Sequence, residues 1–294
     1  MQRSAWSRFS FGRGGISRLS VIALLALLAG CEGSVTMDLA TALPANPNIT
    51  EVVANIRGLE FSTGSGSKTL EFSSSEQVNL IILAENNGVL RLFTDEQLSE
   101  GNYTGVRLLF DENRPNETFV STAAGTRFPL NLANGDFAAL RFNVEDNERS
   151  TDSFTLVLDL RKSLSFDIGS AQYTLTPSMH TVETARASSI EGTVSGTCPA
   201  GQSLARGAVY LFQGRDVTPD DIDGTGVEPF ATSPVFTSGN SFFYTLSFLP
   251  AGDYTLAVTC IGNDDNPTTD EDLQFRNVVN VRLGESETLT RNLP

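Results

Sequence analysis

From residue 33 onward, apolar and polar residues alternate over short runs closed by Gly, Asn, Asp or Pro. No amphipathic pattern of helical period lasts beyond about two turns. In the first half the runs at 35–42, 51–62, 68–73, 88–93, 103–111, 117–122, 137–145, 154–160 and 172–177 read as strands. Several have apolar residues at every second position, as a half-buried strand requires. The run VNLIILAE (78–85) is too short for periodicity to separate a buried strand from a helix. TDEQLS (94–99) reads as a short helical turn capped by Thr94 or Asp95. The polar stretch TVETARAS (181–188) lacks alternation, and a fresh series of strands opens after it at 190–194, 207–213, 230–238, 241–249, 252–260, 273–283 and 287–293.

The pattern predicts an all-β chain of two consecutive β-sandwich domains, immunoglobulin-like or transthyretin-like, following a cleaved signal peptide. The expected division is 1–30 for the signal, 31–184 for the first sandwich and 185–294 for the second. The signal reading rests on Arg3, Arg8, Arg13 and Arg18 without an acidic residue, followed by the apolar run from Val21 to Gly30. Ten helical residues cover roughly 15 Å, about half of a hydrocarbon core, so the run is too short to remain as a span.

Leu28-Ala29-Gly30-Cys31 resembles the lipobox of bacterial lipoproteins, which implies lipidation of the Cys31 thiol and cleavage before it. Several acyl chains anchor a protein stably where one does not. The expected partner is therefore a membrane reached through Cys31. Glu32 at the next position, by resemblance to Gram-negative lipoproteins, points to the outer membrane of a bacterial envelope, on its periplasmic or its exposed side.

Loss of the signal removes four of 20 basic residues and none of 35 acidic ones, which takes the net charge from −15 to −19. That balance repels phosphate backbones and excludes a general nucleic-acid role. The only lysines are Lys68 and Lys162. Beyond Cys31 the cysteines are Cys198 and Cys260, an even pair in an exported chain, so a disulfide is expected.

Two resemblances extend this reading. Leu249-Pro250-Ala251-Gly252-Asp253-Tyr254 with Leu256 and Val258, the opening Ile190-Glu191-Gly192-Thr193-Val194, and Ala208-Val209-Tyr210-Leu211 resemble carboxypeptidase-regulatory-like and prealbumin-like modules; this implies a sandwich over 188–294 and is specific for fold, not for function. Gly33-Ser34-Val35 to Asp38, Glu100 to Leu108, Leu158-Asp159-Leu160-Arg161-Lys162-Ser163-Leu164 and Tyr173 to Pro177 resemble the bacterial lipoprotein family known as domain of unknown function forty-three eighty-two. The chain departs from that family's pattern between 123 and 150 and at Leu160.

No catalytic constellation emerges. His180 is the only histidine, so neither a two-histidine zinc site nor a second base for a triad exists, and it is expected as a surface or inter-domain contact. GSGSKT (64–69) lacks the spacing of a phosphate loop and reads as a hairpin turn. Asp220, Asp221 and Asp223 before Gly224 fail as an EF-hand, because Pro219 and Phe230 fall where its first and last ligands belong. The run Asn263-Asp264-Asp265-Asn266 with Asp270, Glu271 and Asp272 gathers hard oxygen ligands that suit Ca²⁺, against the plainer reading of solvated carboxylates. The single tryptophan, Trp6, leaves with the signal, and Tyr103, Tyr173, Tyr210 and Tyr254 lie in core-like strands, which disfavours sugar binding and leaves Tyr244 as its carrier. The expectation is a non-enzymatic envelope protein, without cofactor or committed metal site, that meets an envelope protein or polymer. A Ca²⁺- or small-ligand-binding module is the alternative.

Overall fold

The computed structural model describes residues 33–85, 88–145 and 151–294; Cys31 and the signal segment lie outside the described residues. The described residues from Gly33 to Pro294 pack as one compact unit. No helix among the described residues is long and apolar enough to cross a membrane.

The architecture is all-β, built from four sheets. The first runs Met179–Glu183, Thr151–Asp159, Gly33–Ala42, Leu90–Leu98 in spatial order, with Gly33–Ala42 parallel to Thr151–Asp159. The second runs Leu164–Asp167, Gln172–Leu175, Arg127–Leu132, Phe119–Thr122, Ile49–Thr63, Gly101–Phe110, Ala138–Val144, and Gly66–Asn79 pairs with Ile49–Thr63 beside it. Together they enclose one apolar core that includes Met37, Leu59, Phe61, Tyr103 and Leu156. The third sheet runs Phe236–Ser238, Ser241–Leu249, Ser188–Val194, Thr288–Thr290, and the fourth Ala231–Pro234, Ala208–Gln213, Gly252–Thr259, Phe275–Leu283. Between these lies a second core that includes Ile190, Leu211, Leu246 and Leu256. Sheet membership changes between Glu183 and Ser188, across a short 3-10 turn.

Alternation explains many of the strands. In Ala138–Val144 residues 138, 140, 142 and 144 are buried and those between are exposed. Ala208–Gln213 and Gly252–Thr259 depart from it, being buried on both faces. The outward residues Tyr210, Phe212 and Ala257 meet Ile222 and Leu273 in a third, smaller core. The two acidic loops, 214–230 and 260–274, therefore lie over the outer face of the fourth sheet and cover it.

Two local expectations change, and a third stretch whose pattern left strand and helix open is resolved. TDEQLS is no helical turn: Leu90–Leu98 continues as a strand through it, with Asp95 at φ 50° and its N–H donated to Thr36 Oγ1 at 3.1 Å. Pairing with Gly33–Ala42 outweighs the local capping preference. In VNLIILAE the strand ends at Asn79 and a helix runs Leu80–Glu85, with Asn79 Oδ1 accepting the Ile81 N–H at 3.1 Å. Within TVETARAS, Thr181–Glu183 belongs to an edge strand on Thr151–Asp159, although its polar sequence carries no alternation. Residues 64 and 65 form the hairpin turn between Ile49–Thr63 and Gly66–Asn79. Cys198 and Cys260 are bonded, Cα to Cα 5.9 Å, which pins the 195–203 loop to the end of Gly252–Thr259.

Candidate functional site

The densest polar chemistry lies where the first sandwich meets the second. Thr151–Asp159 ends in Asp159, whose Oδ1 accepts the Arg161 and Lys162 N–H groups at 3.0 and 3.4 Å and so caps the one-turn helix Leu160–Ser163. Its Oδ2 accepts the Thr232 hydroxyl of the second sandwich at 3.0 Å. Burial holds the Asp159 carboxyl above its ordinary range, against the opposing pull of Lys162 and Arg161.

The cap sends the next two side chains across the junction. Arg161 is 1% exposed; its Nη1 donates to the Gly262 carbonyl and its guanidinium stands 5.9 Å from the centre of the Tyr210 ring. Its Nε and Nη2 have no hydrogen-bond partner among the described residues. Lys162 Nζ donates to the Pro229 carbonyl at 2.5 Å. His180 joins from the edge strand, with Nε2 3.1 Å from the Phe248 carbonyl and its ring 4.5 Å from that of Phe230. Burial pushes the imidazole down to about 4, so it is neutral near pH 7. The expected inter-domain contact of His180 is thus what the structure places there. Asp159, His180, Thr232 and Phe248 line a small cavity of about 70 Å³ at the seam.

Beside Arg161 the two acidic loops converge. One oxygen each of Asp221, Asp265 and Glu271 lie within 4.8 Å of one another, with both aspartates buried. Sequence order separates these residues, and only folding joins them. Asp264 is drawn off into an ion pair with Arg206, Asp223 accepts from the Thr225 N–H and hydroxyl, and Asp272 accepts from Gln274. The solvated-loop reading therefore fails for Asp221 and Asp265.

By residue type this trio suits a hard cation. Each carboxylate, however, already serves the loops. Asp265 accepts from the Tyr210 hydroxyl and, at 3.2 Å, from the Ile222 N–H; Asp221 accepts from the Glu271 N–H at 2.6 Å; Glu271 accepts from the Asn266 N–H at 3.0 Å and from the Thr269 hydroxyl. Burial raises Asp221 and pushes Asp265 up to about 6, the latter against hydrogen bonding by Tyr210 and the charge of Arg161. Internal donors thus occupy all three carboxylates, and the Arg161 charge acts on Asp265. Asp159, Arg161 and Tyr210 lie in the strings that carry the two family resemblances, but no motif marks them as a site; only the Asp159 position, which suits an N-cap, is a local signal. All five tyrosines are buried, Tyr244 included, so none offers a sugar platform.

A family model described as a domain of unknown function (DUF4382) matches residues 32–177. Residues 32–177 form a DUF4382 domain. The DUF4382 segment supplies Asp159, Arg161 and Lys162 to the junction and ends before His180. No curated protein matches the sequence.

Among solved structures, a putative adhesin from Bacteroides ovatus ATCC 8483 is 10% identical, with 97% of this chain and 99% of that one covered, at a TM-score of 0.25. The minor pilin GBS52 of Streptococcus agalactiae is 13% identical, covering 88% and 94%, at 0.22. The Bacillus anthracis TIE protein is 10% identical, covering 88% of this chain at 0.23, and the chain spans 34% of its length. Likeness this slight carries no argument about what the chain does.

Proposed function

We propose that the protein is a non-catalytic module of the bacterial envelope, tethered by lipid at Cys31, in which the DUF4382 domain and the sandwich after it act as one rigid body toward a protein or polymer partner. The observation that carries the rigid-body reading is the junction itself. A buried Arg161, the Asp159–Thr232 hydrogen bond, Lys162 on Pro229 and His180 on Phe248 join the two sandwiches through both ends of the turn. A flexible pair of beads would leave such groups in water. The tether rests on the charged segment, the apolar run and Leu28-Ala29-Gly30-Cys31.

Gly33 is the first residue of a central strand. A lipid on Cys31 would therefore stand two residues, roughly 7 Å, from the sheet, and the first sandwich would sit against the bilayer without a long linker. The test is intact mass measurement and membrane fractionation of the native chain and of Cys31→Ala. The expected result is an acylated N-terminus at residue 31 in the membrane fraction, and a soluble or unprocessed Cys31→Ala chain. An unacylated mature chain, or a Cys31→Ala chain that is processed and stays on the membrane, sinks the tether.

Calcium binding has one observation in its favour, the convergence of Asp221, Asp265 and Glu271. The donors already on those carboxylates and the Arg161 charge beside them favour a loop-locking role instead. Calorimetry of the chain with EDTA and then with millimolar Ca²⁺ decides between the two, since a cation bound only by the native state must raise its transition. No shift is expected.

A further inference from the structure

The outer face of the sheet Phe236–Ser238, Ser241–Leu249, Ser188–Val194, Thr288–Thr290 carries a second array of polar groups, part of whose bonding capacity the fold leaves unused. Strand pairing sets them in two rungs. Thr245, Glu191 and Thr290 are cross-strand neighbours in one; Phe243, Thr193 and Asn292 make the other. Strand spacing and rise give an array of about 10 by 7 Å, the footprint of one or two sugar rings. A shallow depression of about 250 Å³ lies over it.

The free valences are specific. Asn292 Oδ1 accepts the Thr193 N–H and the Thr193 hydroxyl, each at 3.0 Å. A backbone N–H can only donate, so the oxygen of that amide must face Thr193 and its NH₂ is left to point away. Neither that NH₂, the Glu191 carboxylate, nor the hydroxyls of Thr245 and Thr290 has a partner among the described residues. Phe243 is 37% exposed, and its ring is held by Phe236 at 5.4 Å and 23°. The face thus offers one apolar ring, one carboxylate, one amide donor and two hydroxyls on a rigid sheet. In a chain with 35 acidic residues, this array holds one.

We infer that this face is a binding site for a neutral polysaccharide. An aromatic floor takes the C–H face of a sugar ring, while a carboxylate, an amide and hydroxyls pair with its alcohols, each group rigid before the ligand arrives. The missing tryptophan argues against sugar binding only if Trp or Tyr must supply the floor, and here Phe243 does. A single carboxylate without a basic neighbour in the array selects an uncharged chain over a polyanion. The site borders the junction, since Thr245 and Phe236 also line the seam cavity, and it does not depend on the tether.

The test is isothermal titration of the whole chain, held in a detergent without a sugar headgroup, with maltohexaose, cellohexaose and xylohexaose, and with hexagalacturonate as the charged counterpart. At least one neutral hexasaccharide is expected to bind, Phe243→Ala to weaken it about tenfold and Glu191→Gln about threefold, with the melting midpoint of both variants within about 2 °C of the native chain's. Glu191 is exposed, so its variant reports on binding even if Phe243→Ala disturbs the sheet. Absence of binding to all three neutral probes at about 10 mM, variants that bind as the native chain does, or equal binding of hexagalacturonate each overturns the proposal. None of these outcomes touches the tether, which is read from acyl mass.

Discussion

The two sheets of the second sandwich put polar residues to opposite uses. On the sheet Ala231–Pro234, Ala208–Gln213, Gly252–Thr259, Phe275–Leu283, the outer face is covered by the acidic loops, and Tyr210 and Asp265 are turned inward to bond one another. On the sheet Phe236–Ser238, Ser241–Leu249, Ser188–Val194, Thr288–Thr290, the outer face is open over Glu191, Phe243 and Asn292, and the Glu191 carboxylate, the Thr245 hydroxyl and the Asn292 NH₂ keep their bonding capacity for water or a ligand. Charged residues in the covered set are structural, because a buried carboxylate without donors costs more than folding can spare. Those in the open set cost the fold nothing and are free to recognise. Chemical richness in a sequence is thus a poor guide to function here: the acidic loops look reactive and are locked, whereas the plain Thr/Ser face is open.

That contrast can be broken at its strongest point first. Removal of the disulfide by Cys198→Ser with Cys260→Ser releases the 195–203 loop from the start of the acidic loop at Cys260 and should cost about 4 kcal/mol on the chain-entropy account. The measurement is a urea midpoint, and an unchanged midpoint would mean that the acidic loops hold without the bridge. Next comes Arg161→Ala, which leaves Asp159 and Asp265 buried without the cation facing them. A loss of about 3 kcal/mol, on the order of 10 °C in the calorimetric transition, is expected. A split into two transitions would show that Arg161 also couples the sandwiches, while a shift under about 2 °C would deny the junction its weight.

Titration sharpens the comparison further. His180 falls from its ordinary 6.5 to about 4 on folding, so the stability it confers is whole above pH 6.5 and is lost as pH drops through 4. Asp265 rises from 3.8 to about 6, so its neutral form favours the fold; that contribution is whole below pH 3.8 and is lost as pH rises through 6. The two oppose each other in one window. Between pH 4 and 6, His180→Gln should therefore become less stable as pH rises, and Asp265→Asn more stable, by a few degrees in melting midpoint. Parallel profiles for the two variants would refute the burial assigned to either group. The smallest effect belongs to the open face, where Phe243→Ala and Glu191→Gln should move the midpoint by no more than about 2 °C.

Much of the fold was legible from alternation. Ala138–Val144 and Ser241–Leu249 read directly as half-buried strands, and the even cysteine pair beyond Cys31 led to the observed disulfide. Where a strand was set by its partner rather than its own pattern, reading failed. Leu90–Leu98 runs through a helix-like TDEQLS because Gly33–Ala42 lies alongside, and Arg127–Leu132 is a strand despite Pro129 because Phe119–Thr122 and Gln172–Leu175 flank it. The sites were less legible still. Counting loop carboxylates picked out Asp264, Asp265, Asp270, Glu271 and Asp272 in one loop; only Asp265 and Glu271 of these converge, and their third partner, Asp221, comes from the other loop.

The sequence by itself determined the β character, the disulfide partners, the absence of a second histidine and the strong negative balance, since these follow from local period and composition. Only the tertiary structure decided which carboxylates are buried, that Arg161 and His180 meet the second sandwich, and that Glu191, Phe243 and Asn292 share a face. Those facts depend on residues up to a hundred positions apart, as with Thr193 and Asn292. Strand register and loop docking set such contacts, and neither is written in the residues one at a time.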